Sequence, residues 1–116
     1  MAQSIISADA PIVVLVNVFT CTPDNQHRLV EAWQRGTDDV MRFLPGFISA
    51  NIHRSLDGTR VINYAQWRSR EDFQASFANP QAAAYFEELA QIGTPAPVLT
   101  EVVSVHRAAS EAASQA

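Results

Sequence analysis

Lysine is missing from this 116-residue chain: all eight of its basic side chains are arginine. A Schiff-base mechanism requires a primary amine, so that class of enzyme is excluded. Cysteine occurs once, at Cys21, which rules out an intramolecular disulfide and a thiolate metal cluster. Cys21 itself reads as a small buried or half-buried residue. Glycine is scarce, with four in all, and none belongs to a phosphate-cradling loop. No G-x-S-x-G elbow gives Ser, His and Asp a context for a hydrolytic triad. The longest apolar run, "PIVVLV" from Pro11 to Val16, is far too short to cross a bilayer. The N-terminus carries neither a basic region nor a long apolar stretch, which points to a cytoplasmic protein. A formal charge of -4, with its acids scattered, leaves no basic footprint for nucleic acid or an anionic membrane.

What is present is the composition of a folded domain. Hydrophobic residues make up 47% and charged residues 17%, too apolar for a disordered chain. The length suits one domain that buries about two thirds of its unfolded surface. Residues 1–10 are small and polar and read as a flexible arm, 11–107 as the domain, and 108–116 as a flexible tail.

"PIVVLVNVF", Pro11 to Phe19, is apolar on both faces, the pattern of a central strand covered on two sides. Thr22 as N-cap, Pro23 at the first helical position and Asp24 in the first turn then open a long helix. Leu29, Val30, Trp33, Val40, Met41 and Leu44 fall at helical spacing, Gly36 and Thr37 continue the stripe, and Pro45-Gly46 ends it. Phe47 to Ser55 and Thr59 to Trp67 read as a hairpin about the Asp57-Gly58 turn. Ser69 and Asp72 resemble a capping box that opens a short helix with Phe73 and Phe77 at i,i+4. Asn79-Pro80 interrupts it, a second piece carries Tyr85, Phe86, Leu89 and Ile92, and Gly93, Pro95 and Pro97 close that piece. Val98 to Arg107 reads as the last strand. The order β-α-β-β-α-β predicts an α+β, ferredoxin-like fold with one four-stranded antiparallel sheet and helices on one face. The other face, with Ile12, Val14, Val16 and Val18, would be a large exposed apolar surface, so a homodimer with two sheets face to face is expected.

Strand alternation puts Leu15 and Asn17 opposite that set, toward the helices. Asn63 and Trp67 share a side with Val61 and Ala65, so two amides and an indole can meet in one cavity between neighbouring central strands. Unpartnered buried amides cost roughly 1–3 kcal/mol each, so they either bond backbone groups or each other, or face a polar ligand. Trp67 is either a core aromatic or a stacking platform. His27, His53 and His106 are read on the first helix, second strand and last strand, with no i,i+4 spacing or carboxylate partner that suggests a metal site. Glu31, Asp38 and Asp39 read as a solvated helix face. No flavin, nicotinamide or metal motif is present.

"PGFISANIHRSLDGTRVINYAQWRSREDF", Pro45 to Phe73, strongly resembles the antibiotic biosynthesis monooxygenase family. The likeness extends to the helix start "TPDNQHRLVEAW" and to the element order, over roughly residues 11–107. The resemblance implies a dimeric α+β barrel and a cofactor-independent oxygenase that turns an anthrone- or hydroquinone-type polyketide aromatic into a quinone with O2. It implies Asn17, Asn63 and Trp67 as catalytic residues, with Leu15, Phe73, Phe77, Tyr85 and Phe86 contacting substrate. Some members carry a Tyr near the start of the second helix and a basic residue further along it, where this chain has Phe73 and Phe86; Tyr85 is then the better phenol. The haem-degrading branch of the superfamily places an iron-ligating His on the second helix, and residues 69–93 contain none. Alternatives on the same fold are a non-catalytic binder of small aromatics, a stress protein, and an isomerase or lactone-rearranging enzyme.

Overall fold

The computed structural model describes residues 2–109. It contains β1 (Val13–Thr20), α1 (Pro23–Asp39), β2 (Phe47–Arg54), β3 (Arg60–Trp67), α2 (Arg70–Ala75), α3 (Pro80–Ile92) and β4 (Pro97–Thr100), with 3-10 turns at Met41–Phe43 and Ser76–Ala78. The four strands form one antiparallel sheet in the order β2-β3-β1-β4. This is the ferredoxin-like arrangement, with β1 and β3 in the middle. The core lies between the sheet and the helices and gathers Phe19, Leu29, Trp33, Val61, Trp67 and Leu89, among others.

Local chemistry accounts for most of the boundaries. Pro23 opens α1 and the extended Thr22 precedes it, but the Thr22 hydroxyl makes no cap; its carbonyl takes the N–H groups of Asn25 and Gln26 instead. The expected single helix to Leu44 stops as an α-helix at Asp39 and tightens into the 3-10 turn. Pro45 disfavours a helical residue before it, and Leu44 is extended (φ -81°, ψ 144°). Ser69 caps α2 by accepting from the N–H of Asp72, and Asn79 caps α3 by accepting from the N–H groups of Gln81 and Ala82. Phe77 therefore lies in the 3-10 turn and not on an α-helix with Phe73.

The last strand is four residues long where ten were expected. A ladder needs a partner, and Thr100 already faces Val14 near the start of β1. Before Val13 the chain turns away, with the N–H of Ile12 on the carbonyl of Ala10. Residues 101–108 accordingly have no strand geometry, and His106 sits there, outside β4. Of the expected tail, residues 110–116 lie outside the described residues.

The face away from the helices is less bare than the alternation implies. Val14 is fully buried, while Ile12, Val16 and Val18 are half-buried. The N-terminal arm contributes two tertiary bonds on the sheet: Ser4 Oγ donates to Asn51 Oδ1, and the carbonyl of Ile5 accepts from Gln66 Nε2, beside Val14. Among the described residues no helix is long and apolar enough to cross a membrane.

Candidate active site

The period of β3 decides which side chains face the helices. Val61, Asn63, Ala65 and Trp67 point the same way and are all buried, at 0%, 7%, 2% and 1% exposure. Tyr64 and Gln66 point to the other face, where Gln66 Oε1 accepts from Ser49 Oγ. Asn17 of β1 stands directly opposite Asn63 in the ladder. A bulge at the start of β2 shifts the register between Phe47 and Ser49, so that Phe47 opposes Trp67 and Ala50 opposes Ala65. Three residues apart, Phe47 and Ala50 thus reach the same face, a re-aiming that an unbroken strand does not allow.

These faces enclose a cavity of about 200 Å3 between sheet and helices. Leu15, Asn17, Asn63, Trp67, Phe73, Phe77, Tyr85 and Phe86 all line it. Trp33, Thr37, Met41, Phe47, Pro95 and Pro97 also line it and were not foreseen as site residues. Trp33, Thr37 and Met41 belong to the α1 stripe expected to pack on the sheet; helical spacing does not mark which residues of the stripe border a cavity and which pack solidly. Phe47 was hidden by the bulge, since strict alternation does not pair it with Ala50.

Aromatic rings wrap the cavity in a continuous arc. Trp67 meets Phe47 edge-on at 5.5 Å and Phe73 at 5.8 Å; Phe73 meets Phe77 at 5.2 Å, Phe77 meets Phe86 at 5.3 Å, and Phe86 meets Tyr85 at 5.5 Å. Phe77 is 54% exposed and Phe86 half-buried, which puts this pair at the mouth. At the far wall Tyr85 lies against Gly36 of α1, where a Cβ would fall inside the ring.

Among the described residues no Asp, Glu, His, Arg or Cys side chain lines the cavity. Tyr85 is the ionisable group that does, and burial pushes its phenol well above the usual tyrosine range. Its hydroxyl donates to the carbonyl of Trp33 at 3.2 Å, and Thr37 Oγ1 donates to the same oxygen at 2.8 Å. Asn17 Oδ1 accepts the N–H of Ala96 at 3.3 Å. Asn63 Oδ1 is buried and has no hydrogen-bond partner. The alternative in which the two amides satisfy backbone groups or each other therefore holds for Asn17 alone.

The histidines lie elsewhere. His27 pairs with Glu31 one turn along α1 at 2.8 Å; both are exposed, and such pairs contribute little. His53 is on β2 and exposed. Among the described residues no group of three or more His, Cys, Asp or Glu comes close enough to hold a metal ion. Cys21 is half-buried, and burial raises its thiol.

Residues 12–88 match the antibiotic biosynthesis monooxygenase family. The chain is 41% identical over 97 residues to tetracenomycin-F1 monooxygenase of Streptomyces glaucescens, covering 84% of this chain and 87% of that one. Its fold superimposes with a TM-score of 0.73 on a monooxygenase from the gene ActVA-Orf6 of Streptomyces coelicolor, solved in complex with nanaomycin D, at 34% identity over 86% of this chain and 94% of that one. It is also similar to an anthrone oxidase-like protein, with a TM-score of 0.77 and 27% identity over 84% of this chain and 42% of that chain.

Proposed function

Because the chain belongs to the antibiotic biosynthesis monooxygenase family, we propose that it is a cofactor-independent monooxygenase that oxidises an anthrone- or hydroquinone-type polycyclic aromatic to a quinone with O2. The observation that carries this reading is the lining: an arc of aromatic rings around two opposed amides, with no charged side chain among the described residues. Such a site suits a flat, electron-rich ring system with an oxygen substituent.

The substrate supplies the electrons. Loss of a proton, from the methylene carbon of an anthrone or from the hydroxyl of its enol tautomer, gives one and the same anion, whose charge rests on the ring oxygen between the Asn17 and Asn63 amides. One electron passes to O2, the resulting radical and superoxide combine to form a C–O bond, and uptake of a proton gives a hydroperoxide. Loss of water, with the second methylene hydrogen leaving as a proton, makes the new carbonyl. One O2 is consumed, one of its oxygen atoms enters the quinone and the other leaves as water. Trp67, held between Phe47 and Phe73, orients the ring system in a dry cavity.

The test is oxygen uptake and quinone absorbance with an anthrone such as dithranol or emodin anthrone under air, measured against the spontaneous rate. Acceleration that falls by about 100-fold in Asn63→Ala, the cost typical of removing one oxyanion donor, supports the reading. No acceleration across several such phenols leaves a non-catalytic binder of aromatics.

The assembly expected with this chemistry is a homodimer. Val16 and Val18 remain half-buried on the open sheet face, while Val98, Val103 and Val105 are exposed at 57%, 85% and 48%. A second copy is the occupant that covers both.

A further inference from the structure

The two opposed asparagines are not equivalent. Asn17 is anchored from outside the cavity by the N–H of Ala96 on its Oδ1. Ala96 stands between Pro95 and Pro97, neither of which has an N–H, so it is the one backbone donor this stretch offers. With its oxygen committed, Asn17 has its NH2 left for the cavity it lines. Asn63 has no such anchor: the residue is 7% exposed and its Oδ1 is buried without a partner. The hydroxyls of Tyr85 and Thr37 both donate to the Trp33 carbonyl, so neither supplies the missing proton.

Directly opposed side chains of an antiparallel pair start about 5 Å apart at Cβ. A donor and an acceptor at that spacing can meet on one oxygen atom placed between them. We propose that Asn17 and Asn63 grip a single neutral phenolic hydroxyl of the ligand, which accepts from Asn17 Nδ2 and donates to Asn63 Oδ1. Among the oxygen substituents of an aromatic ring only the hydroxyl does both; an ether, a ketone and a phenolate accept only. Ala96 is the positioning residue that makes Asn17 the fixed donor of the pair. Once the hydroxyl has lost its proton, the full negative charge draws the Asn63 amide over to donate, a reversal that a neutral ether or ketone does not drive.

One consequence rests on the oxidation proposed above. Where the gripped hydroxyl ends as a quinone carbonyl, the product can no longer donate, and Asn63 Oδ1 is again unpaired. The site then holds reduced substrate more tightly than product, which favours release.

Calorimetric titration of the intact protein with 1-naphthol, 1-methoxynaphthalene and 1-tetralone tests the grip without any oxidation step. Naphthol is expected to bind about tenfold or more tightly than the other two, the factor that one unpaired buried acceptor corresponds to. Asn63→Ala should erase that preference while methoxynaphthalene stays within about twofold, which also shows that the variant is folded. Asn17→Asp keeps an acceptor for Ala96 but loses the NH2, and should weaken naphthol and methoxynaphthalene alike. Equal affinities for the three ligands, or a preference that survives Asn63→Ala, overturn the hydroxyl grip and leave the aromatic cavity standing. Binding of none of them overturns both the grip and the oxidation reading, whereas naphthol preference without anthrone oxidation overturns only the latter.

Discussion

Asn63 occupies a position that stability alone would give to an aliphatic residue. Its neighbours Val61, Ala65 and Trp67 are apolar and buried, and its own carbonyl oxygen has no partner. An orphaned buried acceptor costs about 1–3 kcal/mol, so Asn63→Leu is expected to raise the thermal midpoint by several degrees while lowering anthrone oxidation about 100-fold. A calorimetric scan beside the oxygen-uptake assay checks both; a lower midpoint would mean that the amide serves the fold. The lining also fixes the pH behaviour. Tyr85 is its ionisable group, and burial raises that phenol above its ordinary value near 10, so it stays protonated through the neutral range. The rate should therefore rise with pH through the substrate's own ionisation, and two anthrones of different acidity should give profiles displaced by that difference. An inflection shared by both substrates between pH 6 and 9 would reveal a protein base. At this scale the period-2 reading of β1 and β3 was enough to bring Asn17, Asn63 and Trp67 together. The Ala96 anchor was not legible, because it joins residues 79 positions apart through a backbone N–H that carries no side-chain signature.

Among the elements, those with a local start or stop were legible and those that depend on a distant partner were not. The Asp57-Gly58 turn is the clearest local case: Gly58 takes φ +82°, and Asp57 Oδ1 accepts from Ser55 Oγ, Thr59 Oγ1 and the Thr59 N–H. Those bonds hold the Asp57 carboxyl down at about 2. A lowered folded-state value means a contribution present above the unfolded value near 4 and lost as pH falls through about 2. Asp57→Ala should thus lower the thermal midpoint at pH 7, and the gap from wild type should narrow on acidification from pH 4 to pH 2. A gap independent of pH would assign the effect to the turn's backbone preference. β4 is the opposite case. Its pattern continues to Arg107, but pairing stops where β1 begins, and no local signal marks that point. The approach of α1 to α3 is equally non-local: Gly36 is buried against the Tyr85 ring. Alanine is the better helix former by about 1 kcal/mol, yet Gly36→Ala should destabilise by about 1–3 kcal/mol, because its methyl displaces Tyr85 from the Trp33 carbonyl. Chemical denaturation measures the balance, and a stabilised variant would show that the helices part without cost.

For the whole molecule, the sheet has two faces, and among the described residues helices cover only one. The other face is divided. Its polar part, at Ser49, Asn51 and Gln66, is knitted together and joined to Ser4 and Ile5 of the N-terminal arm. Its apolar part, Val16 and Val18 on β1, has no such cover and is half-buried. Beyond Thr100 the chain keeps a strand's alternation with Val103 and Val105 exposed, and it lies alongside no strand of its own sheet. Both features answer to a second copy, whose sheet would cover Val16 and Val18 and whose chain would give residues 101–107 something to pair with. Light scattering on the eluting protein should give twice the chain mass. If a second copy covers this face, Val16→Asp with Val18→Asp places two carboxylates in the proposed interface, at several kcal/mol each, and should give a monomer with a lower thermal midpoint. Because Asn17 lies between these two valines and faces the other way, the variant also asks whether the cavity depends on assembly. Retained naphthol binding in the monomer would mean that one chain holds a complete site, and its loss would mean that the dimer braces β1 and with it the asparagine pair.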